Sequence, residues 1–107
     1  MDLRFVYITC TDRDEAGRIA EALVAERLVA CANIIAGMQS VYWWQGEIER
    51  GDECVLIAKT RADRMEALVE RVAELHADEV PCTVGLPIAD GNPAFLDWVR
   101  SEAAPKG

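Results

Sequence analysis

Shifted by 49 positions, the chain falls on itself: residues 6–27 align with residues 55–76 in matching chemistry. Val6 meets Val55, Ile8 meets Ile57, Thr11 meets Thr60, Asp14 meets Asp63 and Glu21 meets Glu70, while the apolar positions Ala16, Ile19, Ala20 and Leu23 meet Met65, Leu68, Val69 and Val72. Each half reads as an alternating strand, a capped turn and a helix with one apolar stripe. The first helix is predicted to start near Thr11 or Asp12, with Asp12 and Glu15 spaced as a capping box, and to bury Ala16, Ile19, Ala20, Leu23 and Val24. The second is predicted to start between Thr60 and Asp63, with Asp63 and Glu66 in the same relation, and to bury Met65, Leu68, Val69 and Val72.

A further strand follows each helix, over residues 30–37 and 82–87, so the order is βαββαβ. Two such halves predict an α+β ferredoxin-like sandwich, with the helices on one face of an antiparallel sheet. Asp90-Gly91 then turns the chain, Asn92 caps, and Pro93 opens a short last helix burying Phe95, Leu96 and Val99. Trp98 is expected to pack with Phe95, and residues 103–107 to fray. The 107 residues make one domain.

The middle hairpin is longer than the sheet needs. Gln45-Gly46 is a two-residue turn between alternating runs. If so, paired residue numbers sum to 91, setting Trp44 opposite Glu47, Gly37 opposite Cys54 and Cys31 opposite Thr60. Residues 38–53 then project as an arm of roughly 23 Å, at about 3.3 Å per residue. Val41, Tyr42, Trp43 and Trp44 follow one another, so alternation puts large side chains on both faces of the arm. A single subunit cannot cover both, and Tyr42, Trp43 and Trp44 are therefore assigned to contact with another subunit.

Eleven basic and 19 acidic residues leave a net charge of −8, which repels phosphate backbones and anionic membranes. Nucleic acid and membrane are thus excluded as partners, and metal cations, neutral or cationic small molecules and copies of the chain remain. The longest uncharged stretch, residues 28–46, contains Asn33, Gly37 and Gln39 and is no membrane span. The first residues lead straight into the first alternation, so no export signal is expected. Four cysteines without a Cys-x-x-Cys spacing fit free thiols in a cytoplasm.

Ferredoxin-like topology brings the ends of the first strand and second helix to the same rim as the start of the last strand. Cys10, His76 and Cys82 become neighbours there. Thiolate and imidazole suit copper or zinc, and Asp78 and Glu79 could add oxygen ligands. The helix start beside Cys10 should favour its thiolate. Each cysteine is also a small hydrophobe in an alternating run, and Cys31 and Cys54 are assigned to packing. A Cys10 nucleophile with His76 as base meets the minimum for catalysis, but no phosphate loop, Ser-His-Asp order or His-Glu-x-x-His segment accompanies it. The chain is read as a binding protein, not an enzyme.

Residues 28–35 (Leu-Val-Ala-Cys-Ala-Asn-Ile-Ile), Gly37, residues 40–46 (Ser-Val-Tyr-Trp-Trp-Gln-Gly), Lys59-Thr60, His76, Glu79-Val80-Pro81, Leu86-Pro87-Ile88 and Gly91-Asn92-Pro93-Ala94 together resemble the CutA family of divalent-cation tolerance proteins. The resemblance implies a ferredoxin-like subunit, a PII-like homotrimer, a cytoplasmic setting, and a link to copper and other divalent ions with no obligatory cofactor. It also points to the positions of Cys10 and His76. Members often read His-Pro-Tyr-Glu-x-Pro-Glu where this chain has His76-Ala77-Asp78-Glu79-Val80-Pro81-Cys82, and some carry two histidines where this chain has Leu75-His76. Asp78 and Cys82 are therefore candidate replacement ligands. By architecture, a PII-like signalling trimer is the alternative, binding a small effector in clefts between subunits with Lys59, Glu79 and the aromatic arm.

Overall fold

Alternation organises the sheet. In β1 (Leu3–Cys10) the side chains of Val6, Ile8 and Cys10 are closed off from solvent, and they stand opposite Ala58, Leu56 and Cys54 of β3 (Glu47–Arg61). Between them come α1 (Arg13–Ala25) and β2 (Cys31–Trp44), and after them α2 (Met65–Leu75), β4 (Thr83–Pro87) and α3 (Pro93–Glu102). The computed structural model describes residues 2–105. It is an α+β fold whose four antiparallel strands lie in the order β2-β3-β1-β4.

Ala16, Ile19, Ala20 and Leu23 of α1 and Leu68 and Val72 of α2 pack on one face of the sheet, against the buried residues of β1 and β3. A smaller cluster of Leu3, Ala30, Val99 and Ala103 fastens α3. Leu3 alternates out of phase with Val6 and Ile8, so α3 is tied to the other face.

The caps divide as their side chains allow. Asp12 caps α1 by accepting the Glu15 N–H at 2.9 Å, and Asn92 Oδ1 caps α3 by accepting the N–H groups of Ala94 and Phe95. At the second helix the predicted cap fails. β3 runs on to Arg61, a 3-10 turn covers Ala62–Arg64, and Asp63 is taken by the Arg61 guanidinium at 2.6 Å. Val24, Val69 and Phe95 were expected inside but stand partly exposed, because each lies at the flank of its helical stripe. Ala103, expected to fray, is buried and donates to Val99 O. Of the tail, residues 106–107 lie outside the described residues.

Gln45 and Gly46 both have positive φ, as a type I′ turn requires, and Trp44 pairs with Glu47 as the turn dictates. The sum of 91 holds from Trp44 back to Met38, which faces Glu53, and then drops by one. Ala36 and Gly37 together oppose Cys54, a bulge made possible by Gly37 at φ +86°. Cys31 consequently faces Lys59 and not Thr60.

Candidate functional site

Three segments meet where β1 ends. Cys10 is the last residue of β1, Glu15 lies in the first turn of α1, and His76 caps the C-terminus of α2. A sulfur, a carboxylate oxygen and a ring nitrogen from these residues all lie within 4.8 Å of one another. All three residues are buried.

Glu15 is the member that local sequence does not reveal. Its Oε1 accepts the Thr11 N–H at 2.8 Å and its Oε2 the Ala77 N–H at 2.8 Å, and Oε1 stands 3.5 Å from His76 Nε2. Burial opposes its charge, but those two amides and His76 outweigh it and hold the carboxyl below its ordinary pKa of 4.5. A Glu three residues after a cap reads as part of a capping box. The signal for its second role sits 62 residues away, at Ala77.

His76 is held from both sides. Its Nδ1 accepts the Asp78 N–H at 3.0 Å, so the proton belongs to Nε2, which donates to Thr9 O at 2.7 Å. Asp78 Oδ2 stands 4.0 Å from Nδ1. The Cys10 thiol departs from expectation. Burial, with Glu15 and Cys54 adding to it, pushes its pKa up to about 12, so the thiolate predicted from the helix start is not the resting form. The amides that would have favoured it are engaged by Asp12 and Glu15.

The other candidates lie elsewhere. The Thr9 N–H donates to Cys82 O, which puts Cys82 in register with Thr9, whose alternation is opposite to that of Cys10. Cys82 is exposed and, with Asp78 and Glu79, lines an open cleft of about 900 Å³. Tyr7, Tyr42, Trp44 and Glu53 form more of its wall. Thus Cys10 and His76 come together, Asp78 stands beside them, and Cys82 and Glu79 face the cleft. Lys59 donates to Asn33 Oδ1 at 3.1 Å and lies over the Phe5 ring. On the arm, Trp43 is 72% exposed opposite Ile48, with Tyr42 and Trp44 exposed on the other side.

Comparison with known proteins agrees over nearly the whole chain. Residues 4–102 match the family model described as CutA1 divalent ion tolerance protein. A divalent-cation tolerance protein CutA from Thermus thermophilus is 48% identical over 95 residues, covering 89% of this chain and 92% of the relative. A solved structure of the divalent cation tolerance protein from Thermus thermophilus superposes with a TM-score of 0.92 at 46% identity, covering 94% of this chain and 97% of that one. The chloroplastic protein CutA 1 of rice is 40% identical over 96 residues, which are 90% of this chain but 54% of the rice protein, so the chain spans about half of that relative's length. Among the described residues, no helix is long and apolar enough to cross a membrane. By the extent of that match and the identity it carries, the chain belongs to the CutA1 divalent ion tolerance protein family.

Proposed function

We propose that the protein is a homotrimer that binds a divalent cation, copper or zinc, through Cys10, Glu15 and His76. The observation that carries this is the convergence of three donors, from three separate segments, within 4.8 Å. Sulfur, imidazole nitrogen and carboxylate oxygen are the donor types that these ions share. His76 would ligate through Nε2, with its proton moved to Nδ1. There it displaces the hydrogen bond that the Asp78 N–H donates to Nδ1, and Asp78 Oδ2, now 4.0 Å away, moves in as its acceptor, so Asp78 orients the ring. The Cys10 thiol must give up its proton, so uptake of the ion tightens as pH rises. Cys82 and Glu79, exposed at the adjoining cleft, serve as ligands on the entry path.

A binding role is favoured over catalysis by the same thiol, since a buried group titrating at about 12 is a poor nucleophile at neutral pH. The strand order β2-β3-β1-β4, with α1 and α2 on one face, supports the ferredoxin-like assignment. The arm with bulky groups on both sides supports a PII-like trimer. Free thiols at all four cysteines support a reducing, cytoplasmic setting.

Calorimetric titration with copper(II) and zinc(II) tests the site. Saturable binding of one ion per chain is expected for wild type and should vanish in the folded Cys10→Ala, His76→Ala double variant. Equal stoichiometry and affinity in the two proteins would sink it. The cleft lined by Tyr42, Trp44, Glu53 and Glu79 favours a second reading, a small effector bound between subunits. The two readings separate by which additive raises the melting temperature in a saturable way, a metal ion or a nucleotide or other metabolite.

A further inference from the structure

The open cleft next to the buried donor cluster sets aromatic rings against acids. Tyr42 and Trp44 stand in one phase of β2 with Met38, and the Tyr7 hydroxyl, donating to Met38 Sδ at 3.3 Å, joins β1 to the same surface. Glu53 is the register partner of Met38, and directly opposed residues share a face, so its carboxylate belongs to that surface too. Asp78 and Glu79 come to it from the linker between α2 and β4. Among the described residues that line the cleft there is no Lys, Arg or His. Arg50, the single base within residues 38–53, is paired with Val41 and so stands out of phase with Tyr42 and Trp44. Neither Glu53 nor Glu79 has an ion-pair partner among the described residues.

We propose that this cleft takes an organic cation, a protonated amine on an apolar body, with the ammonium group held by Glu53, Asp78 and Glu79 and the body lying against Tyr42 and Trp44. The inference rests on the second reading given above, that the cleft binds a small molecule between subunits, and it fixes the charge and kind of that molecule. A volume of about 900 Å³ is that of a small-molecule site. Unpaired carboxylates in a concave, partly apolar wall focus a negative potential, and the faces of Tyr and Trp attract a cation further. The same field opposes a nucleotide, whose phosphates would meet three acids and no base. A bare metal ion fits less well than a molecule. Among the described residues the donors that converge within 4.8 Å are Cys10, Glu15 and His76, whereas the acids of the cleft are spread along its wall. In the proposed trimer a sister chain covers the arm, and the water it excludes would strengthen the pull of these acids on the cation.

Three probes of one shape test the charge: phenethylamine, protonated at neutral pH, neutral phenethyl alcohol, and anionic hydrocinnamate. Each is titrated into the isotope-labelled full chain with chelator present and followed by NMR at the indole N–H groups, that of Trp44 being assigned with Trp44→Phe. The amine should bind saturably and roughly tenfold or more tighter than the alcohol, and the acid should not bind. The Trp44 signal should move with the amine while that of Trp98, which lines a separate hollow, stays in place. Glu53→Gln should weaken the amine by roughly fivefold and leave the alcohol unchanged, whereas Glu66→Gln, the same loss of charge on the exposed side of α2, should match wild type. Salt at about 0.5 M should weaken the amine alone. If Glu53→Gln does not fold, the three probes on wild type still decide the sign of the charge. Equal affinity for amine and alcohol, tighter binding of the acid, or a folded Glu53→Gln that binds the amine as wild type does would overturn the inference. Saturable movement of Trp44 with ATP but not with the amine would overturn it and leave the cleft reading standing. No saturable movement of Trp44 with ATP or any of the three probes, the result expected if a sister chain fills the cleft, would overturn both.

Discussion

Burying Glu15 takes a carboxylate out of water, which is costly unless each oxygen finds a donor, and here the Thr11 and Ala77 amides supply one to each, with His76 Nε2 3.5 Å from Oε1. In the metal-free protein the folded pKa lies below the ordinary 4.5, so the stability this residue contributes is complete above the range where the unfolded carboxyl titrates. It is lost as pH falls through the lower folded value. Glu15→Gln should cost about 2 kcal/mol at neutral pH, because one oxygen becomes an amide group that confronts a backbone N–H. Urea unfolding from pH 7 to pH 3 should show the gap between variant and wild type closing. A gap that stays constant with pH would show that the charge contributes nothing. The cap at Asp12 and Glu15 was legible because spacing of three is a local pattern. Its closure over His76 was not, because the Ala77 amide arrives from the far half of the chain.

At the level of elements, the hairpin illustrates how one residue redirects a whole strand. Before the bulge, Ala32 and Ile34 oppose Ala58 and Leu56 on the helix-covered side. After it the phase inverts, and Met38 comes to the side of Tyr7, whose hydroxyl donates to Met38 Sδ at 3.3 Å. Tyr42 and Trp44 follow in the same phase and so line the cleft with Tyr7. The inversion depends on Gly37 at φ +86°, a position with open space around a would-be Cβ, so the penalty for a side chain is backbone strain and not collision. Gly37→Ala should therefore destabilise by about 1 kcal/mol, read from the urea midpoint at an unchanged slope. No change in the midpoint would mean that the bulge relocates freely. The turn at Gln45-Gly46 was readable from two residues. The bulge was not, since Gly37 lies in an unbroken run of strand-compatible residues and only the pairing with β1 sets the phase of β3.

The whole molecule exposes more than a lone chain should. Its surface is 6676 Å², against roughly 5,900 Å² for a compact chain of 11.8 kDa, and its radius of gyration is 14.2 Å against roughly 13 Å. The excess follows from the arm, which stretches the long axis to 44 Å and bares Val41, Trp43 and Ile48 on one side and Tyr42 and Trp44 on the other. In the proposed trimer, sister chains cover these groups. Sedimentation equilibrium should accordingly find a particle three times the 11.8 kDa chain. Trp43→Glu combined with Trp44→Glu should shift it towards single chains, with a melting temperature that no longer depends on concentration. A wild-type particle of one chain would refute the assembly, and a trimer that survives both substitutions would remove the arm from it.

What the sequence by itself determined is everything written in near neighbours: the alternation of β1, the stripes of α1 and α2, the turn at Gln45-Gly46, and an arm with bulky groups on both faces. Those patterns depend on the pitch of a helix or the pleat of a strand, which repeat within a few residues. Tertiary structure alone decided that Cys54 stands across from Cys10, that Cys82 turns to the other face, and that Glu15 closes on His76. Each of these depends on the register between distant segments, and a slip of one residue there would reverse every side chain without altering any local pattern.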